Sequence, residues 1–537
     1  MTLQPYSLDA IGTTADWQER FVWPLHYPDA VDLADKVAWW GIDTLIPECG
    51  DERFDVAVLV SPYLISVIHK LAHKALMAQG AIDREVSFGA EHDQLGLPKI
   101  EETRRHISSI LSCQVESFGA VEAVARTAAR QYTLSGIGEV FRGLVGAKPK
   151  IVATSHNALL QQQALTLDAG VRFMRASDMV RPLAPALDSA SAIIAGVSDD
   201  HRKMAGSLRP VAENFFPTYA EQVIDGVEVA IAQAFEIGQA QLDVVGKMKL
   251  PDCEIWSTTV GRYAGRLIDI EAMKRGQPVL RFSHGGAYGM IEDETTLGLA
   301  EVSPASGFVM ATEKLTVDVG SQLTARAPKL LRNRRPEDVF RIGKGDPVFD
   351  RVPFFKSQRT SRPSVTFVMT GFFETLVHRP PALSAPVALD WRLRLTRKLS
   401  ELPIDVVIRP HPEDPAGFAK TAQSFGATVS KGNFADALAA SDILVFDWPY
   451  STAFWETLCS GRPTVLINMA ETAFLPEKLS IVQENCRIIS PVFDARGRVS
   501  IDWDSLAEAI SSAPWTDHPA RCRSIFSNNS PTESGAV

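Results

Sequence analysis

Between residues 404 and 467 the chain opens with IDVVIRPHPED and closes with SDILVFDWPYSTAFWETLCSGRPTVLI. The apolar runs 404–408, broken only by Asp405, and 443–446 are short and each ended by a polar turn, the pattern of strands buried on both faces of a parallel sheet. The first turn is Arg409-Pro410-His411-Pro412-Glu413-Asp414 and the second is Asp447-Trp448-Pro449-Tyr450-Ser451-Thr452. After Thr452 the apolar spacing becomes helical, and Gly461-Arg462-Pro463 stops that helix before a third strand at 464–467. In an open parallel α/β sheet ligands sit outside the carboxyl ends of the strands. Both polar turns fall at such ends, and a helix beginning at Ser451-Thr452 offers free backbone N–H groups and a positive dipole end to a phosphate.

A length of 537 residues predicts two domains and a tail. The net charge of −10 does not suggest a nucleic-acid face. The six cysteines are scattered with no CxxC, as for reduced thiols without a metal cluster. The opening MTLQPYSLDAIGTTADWQERF lacks the basic and apolar regions of a signal peptide. No uninterrupted apolar run reaches the ~18 residues of a membrane span. The expected location is cytoplasmic, with peripheral contact at the inner face of the cytoplasmic membrane left open.

Taken in order, 55–60 (DVAVLV) reads as a strand and 65–78 as a helix, and 98–166 as a helical insertion. The run 171–174 reads as a strand and 219–239 as a helix. The stretch 253–289, CEIWSTTVGRYAGRLIDIEAMKRGQPVLRFSHGGAYG, is one βαβ unit that delivers His284-Gly285-Gly286-Ala287-Tyr288-Gly289 at the end of its second strand. Paired glycines there allow a ligand close to the backbone, and an imidazole can act as acid, base or anion partner. Residues 326–363, rich in charge, Pro and Gly, read as an interdomain linker. The expected domains are 1–325, with the helical insertion, and 364–515, followed by a flexible tail at 516–537.

These residues carry a family resemblance. Two Rossmann-like halves, with His411-Pro412 and then Ser451-Thr452 in the second, resemble a GT-B glycosyltransferase, and the pairs resemble those by which bacterial CMP-sugar enzymes hold cytidine nucleotide. The HGGAYG stretch from His284 resembles the HGG-x-[YF]-G of bacterial retaining β-Kdo transferases and related surface-carbohydrate transferases. The resemblance covers roughly residues 253–467. It implies two parallel-sheet domains facing a cleft, and a transferase moving a sugar, with CMP-Kdo favoured, from a nucleotide donor to a surface glycan or lipid-linked precursor. No metal and no separate cofactor are implied.

Residue by residue, it implies that Arg409, His411 and the backbone after Pro412 contact the nucleotide. Ser451 and Thr452 would bind its phosphate, Glu456 its ribose, and Gly371 would give it room, while His284 would face the sugar. The retaining family also uses an acidic nucleophile. Here the strand from Glu254 runs into Ser257-Thr258-Thr259 with no carboxylate at its end, leaving Asp178 and Glu91 (beside His92 and Asp93) as candidates. Plainer readings stand beside these: His411 and His284 as structural histidines, Ser451 as a helix cap, Asp447 as a turn residue, Glu456 as a solvated helix residue and Asp178 as a structural residue. Two other functions fit the same pattern, a polyol-phosphate transferase with a CDP-linked donor and a non-catalytic scaffold of this fold.

Overall fold

Short β-rich segments pair into two six-stranded parallel sheets in the computed structural model. It describes residues 3–4, 17–85, 87–88, 97–113, 129–131, 134, 149–167, 170–258, 263–283, 285–286, 288–292, 295–355, 361–371, 383–411, 422–469, 472–513 and 520–527. The first sheet contains β1 (Ile151–Ala153), β2 (Val171–Phe173), β3 (Glu254–Thr258), β4 (Val279–Phe282), β5 (Gly307–Met310) and β6 (Phe340–Ile342), in the order β2-β1-β3-β4-β5-β6. The second contains β7 (Ser364–Val368), β8 (Asp405–Arg409), β9 (Thr428–Val429), β10 (Ile443–Phe446), β11 (Thr464–Ile467) and β12 (Cys486–Ile489), in the order β9-β8-β7-β10-β11-β12. That second order is the doubly wound dinucleotide-fold order, with its reversal between β7 and β10.

The N-terminal half departs from the sequence reading in three places. The run DVAVLV is no strand; it lies inside one helix, α1 (Gly50–Asp83). Val56, Val58 and Val60 favour a strand by propensity, but burial on every side removes the alternation a half-exposed strand would need. By length and composition α1 could cross a membrane, yet 78% of its most apolar window is buried inside the protein, so it serves as a core helix. A second helix, α2 (Ile100–Ile110), begins the stretch read as a helical insertion. Within that same stretch lies β1, whose three residues are too short to show a period. The third departure is β6, which completes the first sheet from within the stretch read as linker.

α1 packs along α3 (Ala220–Gly246), where a glycine permits close approach. A Cβ on Gly238 would lie 2.7 Å from Val60 Cγ1 and 3.2 Å from Val56 Cγ1. Gly238→Ala is therefore expected to cost about 1–3 kcal/mol through overpacking, measured by denaturant unfolding. A stability gain instead, as from an unstrained Gly→Ala in a helix, would show that the two helices can part freely.

Pro62 sits inside α1 and has no N–H to give the carbonyl four residues back, that of Val58. Arg266, on helix α4 (Tyr263–Lys274), fills the gap: its Nε donates to Val58 O at 2.8 Å, and its Nη2 reaches the same oxygen. The other face of the guanidinium donates to Ala300 O at 2.6 Å and Leu299 O at 2.9 Å, in the widened turn Gly298–Val302. One fully buried side chain thus joins two interruptions of helical bonding.

In the second half, helix α5 (Ala385–Ser400) crosses from β7 to β8, and helix α6 (Thr452–Ser460) crosses from β10 to β11. The two halves are tied at several points. Leu475 N donates to Met290 O at 3.0 Å, and Lys478 Nζ lies 2.6 Å from Asp318 Oδ2. Residues 520–526, inside the stretch read as a flexible tail, form helix α7 (Ala520–Phe526), with Cys522, Ile525 and Phe526 buried. Asp346 N and Thr312 Oγ1 donate to its carbonyls at Phe526 (2.8 Å) and Ile525 (2.5 Å). Arg523 Nη2 donates to Val352 O at 2.6 Å and to Cys459 O at 3.0 Å, so α7 holds both halves.

Candidate functional site

The strand-order reversal of the second sheet sets the crevice at the carboxyl ends of β7 and β10. Asp447, just past β10, is 5% exposed and organises that edge. Its carboxylate accepts hydrogen bonds from the backbone and side chain of Thr370 and lies 3.6 Å from Arg392 Nε. Arg392 Nη2 in turn donates to Thr370 O. Burial pushes the Asp447 carboxyl up against the pull of Arg392 and Thr370. This lattice fixes the loop that carries the buried Gly371, so Asp447, read from sequence as a turn residue, is the support of the crevice.

Along the same edge, β8 ends in Arg409, with His411 two residues on and partly exposed. Arg409 Nη2 donates to Gly432 O at 3.0 Å and its guanidinium lies 5.9 Å from the Phe434 ring centre, with burial lowering its pKa. On the far side of β7, Ser451 is the N-cap residue of α6, yet its side chain makes no capping bond. Ser451 and Thr452 are both partly exposed. Two strand spacings, ~10 Å, separate the ends of β8 and β10. Arg409, His411, Gly371, Ser451 and Thr452 thus share one sheet edge. Pro412 lies outside the described residues.

The first sheet brings its own loops to this place. Ser155, after β1, accepts from Thr258 N at 2.8 Å, and Asn157 Nδ2 donates to Ser283 O at 2.8 Å. These bonds hold the ends of β1, β3 and β4 together. Gly285 and Gly286 take φ of +82° and +92°, a backbone that side chains rarely adopt. A Cβ on Gly285 would meet Asp346 Oδ2 at 3.0 Å, and one on Gly286 would lie 3.8 Å from Tyr450 O. The glycine loop of the first half therefore abuts the turn that starts α6 in the second. His284 and Ala287, like Glu91, lie outside the described residues.

Two carboxylates sit at this junction. Asp346 is 3% exposed and caps the short helix Pro347–Asp350, its Oδ1 accepting from Val348 N at 2.9 Å. Burial raises its pKa to about 6, with Asp350 adding to the rise. Glu456, one turn into α6, is raised to about 7 by burial and by the charge of Asp346. Asp346 escaped the sequence reading because it lies in the stretch taken as linker; the Gly-Asp-Pro after β6 is the helix-start signal that could have found it.

Asp178 is not brought to this junction by any described contact. It follows edge strand β2, with Arg181 Nη2 at 2.5 Å and Arg175 Nε at 3.6 Å from its carboxylate oxygens. Its charge is taken up by those two arginines.

No family model matches the chain, and no curated protein matches it. Among solved structures it is similar to MurG of Acinetobacter baumannii, at 12% identity and a TM-score of 0.34, over 77% of this chain and 94% of that one. It is also similar to CalG4, the calicheamicin glycosyltransferase, at 11% identity and a TM-score of 0.33, over 71% of this chain and 94% of that one. The glycosyltransferase of kitacinnamycin shows 14% identity and a TM-score of 0.32, over 70% and 94% of the two chains. Likeness at this level carries no residue roles. The two-sheet α/β description rests on the strand orders and contacts above.

Proposed function

We propose that the chain is a glycosyltransferase that moves a sugar from a nucleotide donor, with a CMP-activated ulosonic acid such as CMP-Kdo favoured, onto a surface glycan or its lipid-linked precursor. The observation that carries this reading is the meeting of the Gly285-Gly286 loop with the Tyr450-Ser451 turn, above Asp346 and Glu456. In this reading the donor lies along the edge formed by Gly371, Arg409, His411, Ser451 and Thr452. The acceptor hydroxyl oxygen bonds to the anomeric carbon as the bond from that carbon to the donor phosphate oxygen breaks. The charge left on the phosphate is taken up by the N-terminus of α6 and by Arg409. Glu456, poised near neutrality, receives the acceptor's proton. Asp346 acts as a positioning residue that holds the Glu456 pKa there. His284 faces the sugar. The reaction takes place in the cytoplasm, at the inner membrane face where a lipid-linked acceptor would lie.

A thermal-shift titration with CMP, CDP, UDP and GDP tests the donor. A CMP-selective rise, reaching about 2.7 kcal/mol of added stability at a hundredfold excess over Kd, is expected in the wild type and lost in His411→Ala. Turnover of CMP-Kdo would then follow. A preference for CDP with turnover of CDP-glycerol or CDP-ribitol would replace the donor assignment by a polyol phosphate. Indifference to every nucleotide would leave a scaffold of this fold.

A further inference from the structure

A second pocket, of about 400 Å³, opens where α1, α2 and the start of α5 converge. Lys70, His73 and Lys74 line it from one face of α1, spaced three and four residues apart. Thr103 and His106 line it from α2, together with Glu102. Ser384, Ala385 and Pro386, at the N-terminus of α5, close the third side, and Ser384 makes no side-chain capping bond. None of these residues belongs to the crevice set described above.

The groups here are short of partners. Among the described residues Lys70 and Lys74 have neither an ion-pair partner nor a side-chain hydrogen bond. The Thr103 hydroxyl is buried, the residue being 2% exposed, and also finds no hydrogen-bond partner. A buried hydroxyl left unpaired is destabilising, a cost that a ligand oxygen settling against it would relieve. Glu102, the one carboxylate in the lining, is exposed and accepts from Lys99 N at 3.3 Å. Burial lowers the pKa of His73 to about 4, and burial with Lys70 and Lys74 lowers that of His106, so at neutral pH both rings are uncharged and each can give one N–H.

We propose that this pocket binds the phosphoryl group of a small phosphorylated ligand. Two ammonium groups, a hydroxyl, two imidazoles and a helix N-terminus outnumber what the two oxygens of a carboxylate can accept, whereas a phosphoryl group brings three acceptor oxygens and a larger charge. The volume exceeds a phosphoryl group, and Trp23, Val67, Leu71 and Pro386 give the remaining organic part an apolar bed. The site goes beyond the transferase reading and does not rest on it.

The test is calorimetric titration of the full chain with inorganic pyrophosphate at fixed ionic strength. Saturable binding is expected in the wild type, weakened about tenfold or more in the double variant Lys70→Gln/Lys74→Gln and about threefold to tenfold in Thr103→Val. Both substitutions keep helix-compatible side chains, and far-UV circular dichroism with a thermal melt reports that the variants are folded. His411→Ala should leave pyrophosphate binding intact. The proposal is overturned if the wild type shows no saturation up to about 10 mM, a ceiling already far weaker than a metabolite site. It is equally overturned if the lysine pair is indifferent, or if His411→Ala alone abolishes binding and so moves the pyrophosphate to the crevice.

Discussion

Arg266→Ala is expected to destabilise the chain by roughly 4 kcal/mol or more, among the largest effects a single substitution can have. The side chain is fully buried and donates to the carbonyls of Val58, Leu299 and Ala300. Truncation leaves the Val58 and Leu299 carbonyls without that donor in a dry interior and opens a cavity around them. Burial and the nearby Arg281 bring the Arg266 pKa down to about 9, so the group stays charged at neutral pH, with Glu301 and Asp269 close enough to favour that charge. Arg266→Lys keeps the charge but not the planar fork that spans Val58 and the 299–300 turn, so it should recover only part of the loss. The diagnostic variant is Pro62→Ala. It restores a backbone N–H opposite the Val58 carbonyl, so Arg266→Ala should cost less in that background. A double-mutant cycle by urea unfolding that shows strict additivity would sink the account.

Glu456→Gln should separate stability from function in opposite directions. With its pKa raised from 4.5 to about 7, the folded chain holds this proton more tightly than the unfolded chain. Below about pH 4.5 both states are protonated and nothing is gained or lost. As pH rises from there to about 7 the unfolded state ionises first, so wild-type stability declines, and above about 7 the penalty is complete. Asp346, raised from 3.8 to about 6, adds a decline at the lower end of the same window. Glutamine cannot ionise, so the variant should be about 1–2 kcal/mol more stable than wild type at pH 8, once the partial exposure of Glu456 is allowed for, and equal to it near pH 4. If Glu456 receives the acceptor's proton, the same variant loses roughly 10²–10⁴ in turnover while retaining nucleotide binding. A variant no more stable at pH 8 would show that the carboxylate is freely solvated. One with unchanged turnover would remove it from the chemistry.

What could be read in advance follows from how each element meets solvent. β10 is apolar on every residue and β11 on all but its first, Thr464, and both are bounded by turn formers, so their runs mark them within a residue of the observed ends. The βαβ unit from Glu254 was legible because short strand-like runs flank a stretch of helical spacing that Gly276 closes. β1 was not, because three residues between a lysine and a threonine carry no period. α1 failed in the opposite way: a core helix apolar on all sides offers no 3.6-residue contrast, and its β-branched valines imitate a strand. At the site, Gly371, Arg409, His411, Ser451 and Thr452 followed from the rule that turns after parallel strands face one edge. Asp346 depends on what distant parts of the chain bring against it, and the support given by Asp447 on Arg392 and Thr370, which are remote in sequence, and nothing local announces either.

Helix α7 also bears on the order in which the chain can assemble. The carbonyls that receive Asp346 N and Thr312 Oγ1 belong to Phe526 and Ile525, and Phe526 stacks on Phe349 with ring centres 4.3 Å apart. These partners leave the ribosome long after the first sheet has all its strands, at ~5–20 residues per second. During synthesis the first half must wait without the stacking partner of Phe349 and the acceptors of Asp346 N and Thr312 Oγ1. The glycine loop and the two raised carboxylates are therefore finished together, as a closing event of folding.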